Sequence, residues 1–401
     1  MKRPLNAVGV LSIALLLALL SPGCASSGGK SPSKPTARLT GDPVLDSRKK
    51  MESGRAEDRL LWAYRGSVAA MRRGQYAEAK PLLDEAVTRL NGLLGRDRGA
   101  RKARSTFYRE SKKTFYGEPY ERVMAFYYRA ILYWMDGEPD NARACLRSAA
   151  LADSDVDKET FKSDYVLLDY LDGLISSRLG ADGSDAYKRS LKSPKIAVPP
   201  AYPTPANLIV FFEFGAGPTK QAGGEYGEQL QFQNGSSPVQ SARIRIANLD
   251  VEVAPYDDLN YQATTRGGRI MDKVLASKAE FKKATDTVGD AAIISGAVVG
   301  ATSQRNSEAA LGLIAAGLIS KIFSAVAKPE ADTRTWDNLP LFLSFTALQV
   351  PPGSYQATVE FLDTTHRPVP AFNKTINLQI PAGAGEKVIF VSDQSSTPQT
   401  P

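Results

Sequence analysis

From Glu57 to about Ser193, apolar and aromatic residues recur three and four positions apart and strand-like alternation is absent, which predicts helices. Two helix–turn–helix units stand out. In the first, Ala63, Ser67 and Ala70 precede the turn Gly74-Gln75-Tyr76, and Ala79, Leu83 and Ala86 follow it. In the second, Phe126, Ala130 and Tyr133 precede Gly137-Glu138-Pro139, and Ala142, Leu146 and Ala149 follow. A weaker third unit runs from Tyr165 to Leu191 and turns at Leu179-Gly180. Small residues at such positions let antiparallel helices approach closely, and the large ones fill the groove between them.

These units are similar to tetratricopeptide (TPR) helix pairs in the register of small and large positions. The turn glycines are unevenly spaced, whereas a strict array repeats about every 34 residues. The expectation is an irregular TPR-like bundle with an extra segment between Asn91 and Tyr116. Helix then gives way to a proline-rich linker, with Pro194, Pro199, Pro200, Pro203 and Pro205 each removing a backbone donor. The second half reads as strands: Asn207–Phe214, Ala242–Ile246, Leu341–Val350, Tyr355–Leu362, Lys374–Ile380 and Lys387–Val391. Residues Pro351–Ser354 and Pro381–Gly385 read as hairpin-type turns, and the set suggests a β-sandwich. Helical sequence interrupts these strands. Arg269–Thr287 is amphipathic, and Val288–Thr302 and Ala309–Ala327 are apolar and rich in small residues. Ala292, Gly296 and Gly300, like Gly312 and Ala316, repeat every fourth position, a spacing that lets helices pack backbone to backbone. That hairpin reads as packed on the β-rich part, as a contact with another copy or partner, or as membrane-inserting.

The expected fold class is α+β: an N-terminal TPR-like helical bundle, then a β-sandwich-like domain with an inserted apolar helical hairpin. The expected divisions are a leader (1–23), a tether (24–50), the helical domain (51–193), the linker (194–206), the β-rich domain (207–393, insertion about 269–327) and a disordered tail (394–401).

The leader follows from the first residues. Met1-Lys2-Arg3 is positive, Val8–Leu20 is apolar, and Ser21-Pro22-Gly23-Cys24 follows at once, the order of a secretory signal. Cys24 after a small Gly23 resembles the bacterial lipoprotein cleavage site, although Ser21 and Pro22 depart from its pattern. The resemblance implies cleavage before Cys24 and a membrane anchor through lipid on that cysteine; the alternative is ordinary cleavage nearby and a soluble periplasmic protein. Ala25 is not the aspartate that by analogy retains lipoproteins in the inner membrane, so the expected location is the outer membrane, facing the periplasm. The Ser-, Gly- and Pro-rich stretch that follows has little to bury and reads as a flexible tether reaching about 25–30 Å.

With 401 residues, 43% of them hydrophobic, the chain has enough apolar surface for two cores. The net charge of +7 suggests anionic lipid, wall polymer or acidic protein surfaces, or simply a solvated surface, and not nucleic acid. The basic run Arg96, Arg98, Arg101, Lys102, Arg104, Arg109, Lys112 and Lys113 reads as a solvated face or as a contact with headgroups or wall carboxylates. Catalytic patterns are thin. His366 is the only histidine, which leaves a Ser-His-Asp triad or a histidine metal cluster little to build on. Cys145, between Ala144 and Leu146, reads as an inert core thiol. Gly215 to Lys220 follows a strand as a phosphate loop would, but lacks its Gly-Lys-Ser/Thr order, and Pro218 deletes a donor. No cofactor or metal is expected.

Two motifs carry a family resemblance. One is Thr114–Arg122 running into Tyr127-Tyr128 and Asn141–Ala144; the other is Ala331–Pro340, accompanied by Arg269–Asp272. Together they resemble a family of bacterial envelope lipoproteins that pair a TPR-like half with a β-rich half. The resemblance implies location and architecture and assigns no activity. Some members are encoded beside lipoproteins that activate penicillin-binding proteins, which implies a place in envelope assembly. Within the motifs, Glu118, Tyr120, Glu121 and Arg122, with Asp332, Arg334 and Trp336, are either structural staples or a protein-partner surface. The expectation is a non-enzymatic scaffold or adaptor. The alternatives are a self-associating subunit of an envelope-spanning assembly, a homo-oligomer, and an enzyme acting on cell wall or glycan.

Overall fold

The computed structural model describes residues 39–94, 114–154, 161–162, 164–192, 195–203, 205–224, 227, 229–265, 331–383 and 385–396. Cys24, the basic run 96–113 and the expected hairpin 269–327 lie outside the described residues. The chain is α+β, as its pattern predicts.

The first helix among the described residues, α1 (Pro43–Ser53), lies where a tether was expected to extend to residue 50. Its start is well specified: Pro43 occupies the first turn, and the Asp42 carboxylate accepts the Val44 and Leu45 N–H groups at 2.9 and 3.1 Å. Helices α2 (Arg59–Arg72) and α3 (Tyr76–Leu94), α4 (Pro119–Met135) and α5 (Pro139–Asp153), and α6 (Val166–Arg178) and α7 (Ser184–Ser190) follow in pairs. The turns within these pairs contain Gly74, Gly137 and Gly180, with φ of +70°, +75° and +77°. That region favours glycine because a Cβ there crowds the following carbonyl. The small residues Ala63, Ser67, Ala70, Ala79, Ala86, Ala142 and Ala149 are fully buried. Helix α4 is buried on nearly every side, which marks it as the middle of the helical layer.

The strands form two four-stranded sheets and a separate hairpin among the described residues. The first sheet runs β10 (Lys387–Ser392), β1 (Leu208–Phe214), β7 (Phe342–Leu348), β6 (Asp257–Asp258); β1 pairs parallel with β10 and antiparallel with β7. The second runs β5 (Leu249–Val253), β4 (Ser241–Ile246), β8 (Gly353–Leu362), β9 (Lys374–Ile380). β2 (Thr219–Gly223) and β3 (Gln229–Gln233) make the hairpin, and a short helix, α8 (Leu259–Thr264), follows β6. The two proline-containing turns expected to close hairpins instead carry the chain between sheets: 349–352 leads from β7 to β8, and 381–386 leads from β9 to β10. Proline cannot donate to a ladder, so either outcome fits the local sequence.

Strand β1 explains how the layers stack. All seven of its residues are buried, as expected of a strand covered on both faces. Phe211 meets Tyr127 and Trp134 of α4 at ring-centroid distances of 6.1 and 5.8 Å. Phe214, of opposite parity, meets Phe361 of β8 at 5.8 Å. Helices therefore cover one face of the first sheet and the second sheet covers the other. Burying each such ring contributes roughly 1.5–3 kcal/mol. One continuous hydrophobic cluster runs through helices and strands, where sequence composition had allowed two cores.

The connecting segments are tied down as well. Tyr202 of the proline-rich segment packs against Tyr170 and Tyr187 at 5.2 and 5.1 Å. The end of the described chain is not a free tail from residue 394: Gln394 accepts a bond from the Arg72 guanidinium at 2.7 Å, and the Ser396 N–H donates to the Arg72 carbonyl at 3.0 Å.

Candidate functional site

The two family-like motifs meet. Residues 117–122 open α4, and residues 331–340 lead into β7. Gly117 turns with φ +82°, Pro119 starts the helix, and Glu118 and Glu121 form a capping box. Glu121 is fully buried and its carboxylate collects three donors: the Glu118 N–H at 2.6 Å, the Trp336 N–H at 2.7 Å and the Lys220 ammonium at 2.5 Å. Lys220 comes from β2, also donates to the Arg334 carbonyl at 2.9 Å, and lies 3.8 Å from Glu118. Helix, hairpin and return segment are thus held at one buried carboxylate. Trp336 is fully buried and stacks on Tyr64 of α2, with ring centroids 4.3 Å apart and planes 14° from parallel. Arg334 pairs with Asp332 at 2.6 Å and reaches Asp58 at 2.9 Å.

The residues expected as a partner surface are therefore brought together, but most are inside. Glu118, Tyr120, Glu121, Arg122 and Trp336 are all buried, because α4 is the central helix and its first turn faces β2 and the return segment. Asp332 and Arg334 alone of the set are partly exposed.

A second network crosses the same interface. The Arg72 guanidinium of α2 meets Glu213 of β1 at 2.7 Å, both side chains being buried, and the Tyr128 hydroxyl of α4 donates to the same carboxylate. Burial pushes the Tyr128 hydroxyl well above the ordinary tyrosine value. A third contact pins α6. Asp257 of β6 accepts the Val166 and Leu167 N–H groups at 2.8 and 2.9 Å, the open donors of that helix's first turn. Burial pushes its carboxyl up to about 7.

Lys220, Arg72, Glu213 and Asp257 were not singled out from sequence. Lys220 lay in the loop rejected as a phosphate binder, and its carboxylate partner stands 99 residues away. Glu213 carried one signal: it is the lone charge in an otherwise apolar strand.

The Cys145 thiol is buried and pushed up to about 11 by desolvation. His366 sits in an exposed turn at φ +60°, with its Nδ1 2.6 Å from Glu252. Among the described residues no group of three His, Cys, Asp or Glu is placed to hold a metal ion, and no helix is long and apolar enough to cross a membrane. Comparison of the chain with protein families, curated proteins and solved structures gives no match.

Proposed function

We propose that the chain is a lipid-anchored envelope protein, tethered through Cys24 to the outer membrane and facing the periplasm, that works as a non-enzymatic adaptor for a protein partner. The observation that carries the reading is the helix–glycine turn–helix unit repeated at Gly74, Gly137 and Gly180. Consecutive pairs of this kind are read as an irregular TPR-like bundle, an architecture whose stacked helices present a surface to polypeptides. The two packed sheets behind them are read as a sandwich-like support. The buried bonds at Glu121, Glu213 and Asp257 favour a rigid platform, because each ties a helix of that layer to the strands.

The second reading, a self-associating subunit of an envelope-spanning assembly, rests on the small-residue spacing between Ala292 and Ala316. Size measurement of a Cys24→Ser chain separates the two. The adaptor is a monomer without its lipid; a ring or higher oligomer at micromolar concentration would instead support the assembly. In cells, the adaptor needs Cys24 but no single exposed carboxylate. A deletion phenotype complemented by Cys24→Ser would contradict the anchor, and one lost on replacing a single exposed carboxylate would favour an enzyme.

A further inference from the structure

We infer that the groove between α1, the start of α2 and the return segment 333–337 is a docking site for an extended peptide of the partner that carries a carboxylate beside an apolar or aromatic side chain. This deepens the adaptor reading and rests on it. The groove measures about 660 Å³, and Lys50, Arg55, Trp62, Arg65, Arg334 and Asp337 line it.

Three observations point to a ligand. First, Trp62 is the one tryptophan of three that is not buried; Trp134 and Trp336 are 4% and 0% exposed. Second, its ring is already set for recognition. The Arg65 guanidinium lies 4.9 Å from its centroid, held by an ion pair with Asp337, to which its Nη2 donates at 2.9 Å, and by a 2.9 Å bond from the same nitrogen to the Thr335 carbonyl. Third, the charges are unevenly spent. Arg55 pairs with Asp58 at 2.8 Å, Arg334 with Asp58 and Asp332, and Arg65 with Asp337. Lys50 has no anionic partner among the described residues; its ammonium lies 5.9 Å from the Trp62 ring.

Among the described residues, the groove thus offers one cation without an anionic partner next to a half-buried indole, with Asp58 and Asp337 on its walls. An anionic membrane surface fits this poorly, since those aspartates would face its phosphates. A peptide fits better. One carboxylate satisfies Lys50, an apolar side chain covers Trp62, and backbone N–H groups can meet the wall carboxylates. The rim belongs to the segment that Glu121 locks in place through the Trp336 N–H, so the groove is preformed.

The test uses purified full-length protein and a phage-displayed random heptapeptide library. Selection on the wild-type chain is expected to enrich Asp or Glu beside aromatic or aliphatic residues. Binding of the selected peptides should quench Trp62 fluorescence and weaken roughly tenfold, equivalent to about 1.4 kcal/mol, in Lys50→Glu and in Trp62→Ala. Where either variant melts below the wild type, Lys50→Met or Trp62→Leu takes its place, with the same loss expected. No enrichment, or enriched peptides that bind both variants as well as the wild type, would overturn the assignment. So would vesicles of phosphatidylglycerol that bind in a Trp62- and Lys50-dependent way while peptides do not. A partner still cross-linked from Leu151 on α5 when the groove is altered would leave the adaptor standing and remove only this site.

Discussion

Replacing Glu121 by Gln tests whether the meeting point of helix, hairpin and return segment is a single buried ion pair. The substitution keeps the shape and removes the charge. The Lys220 ammonium, whose side chain is 1% exposed, then faces a neutral amide and the more distant Glu118. The amide oxygen cannot replace both carboxylate oxygens for the Glu118 and Trp336 N–H groups. Removing one partner of a buried, bonded pair costs about 3–5 kcal/mol. Lys220→Met leaves the opposite charge buried and costs a similar amount, about 3–5 kcal/mol. If the two acted independently, the double variant would lose about 6–10 kcal/mol. Because it removes both charges together, it is expected to lose little more than either single change. Urea unfolding of the four chains, followed by circular dichroism and by tryptophan fluorescence, completes the cycle. Single variants within 1 kcal/mol of the wild type, or a double variant whose loss is additive, would refute the reasoning.

Further outcomes follow from other contacts. The folded chain holds the Asp257 proton up to about pH 7, whereas the unfolded chain releases it near 3.8. Stability from this group is therefore greatest at low pH and falls as pH rises through that window, by at most about 1.4 kcal/mol per pH unit. Asp257→Asn should flatten that part of a pH series of urea midpoints, while lowering stability through one lost acceptor to α6. Gly137→Ala meets no atom within 4 Å but must hold φ at +75°, so thermal melts should show a backbone cost of about 1–2 kcal/mol, with Asn costing less. The Cys145 thiol, pushed up to about 11, should resist iodoacetamide at pH 8 until the chain unfolds; fast labelling of native protein would contradict its burial.

The helices were legible because two local signals agreed. Small residues at helical spacing marked the buried faces, and glycine marked the turns that need positive φ. Helix α1 was not, since its sequence is mostly polar and charged and only Val44 among its apolar residues is buried. The β2–β3 hairpin is rich in glutamine and glycine, half-exposed, and has Thr219 as its one β-branched residue, too few to announce a strand. The positions of β1, β4 and β7 to β10 were readable, those of β5 and β6 were not, and sheet membership was not. The same proline turn serves a hairpin or a crossing, and the choice is made by partners such as Phe345 opposite Phe211 and Val359 opposite Ile244. The site divides in the same way. Glu118 and Glu121 announced a helix start, and Trp336 a staple. Their exposure was unreadable, because it depends on Lys220 and Tyr64 arriving from distant parts of the chain.

The most direct measurement is photo-cross-linking in intact cells that carry the lipidated chain. Reactive side chains would replace Leu45 and Leu151 in turn, which are 49% and 50% exposed on α1 and α5. A single heterologous protein captured from the helical layer, and lost with Cys24→Ser, is the result expected of a membrane-anchored adaptor. Cross-links confined to a second copy of the same chain, or capture unchanged without Cys24, would contradict it.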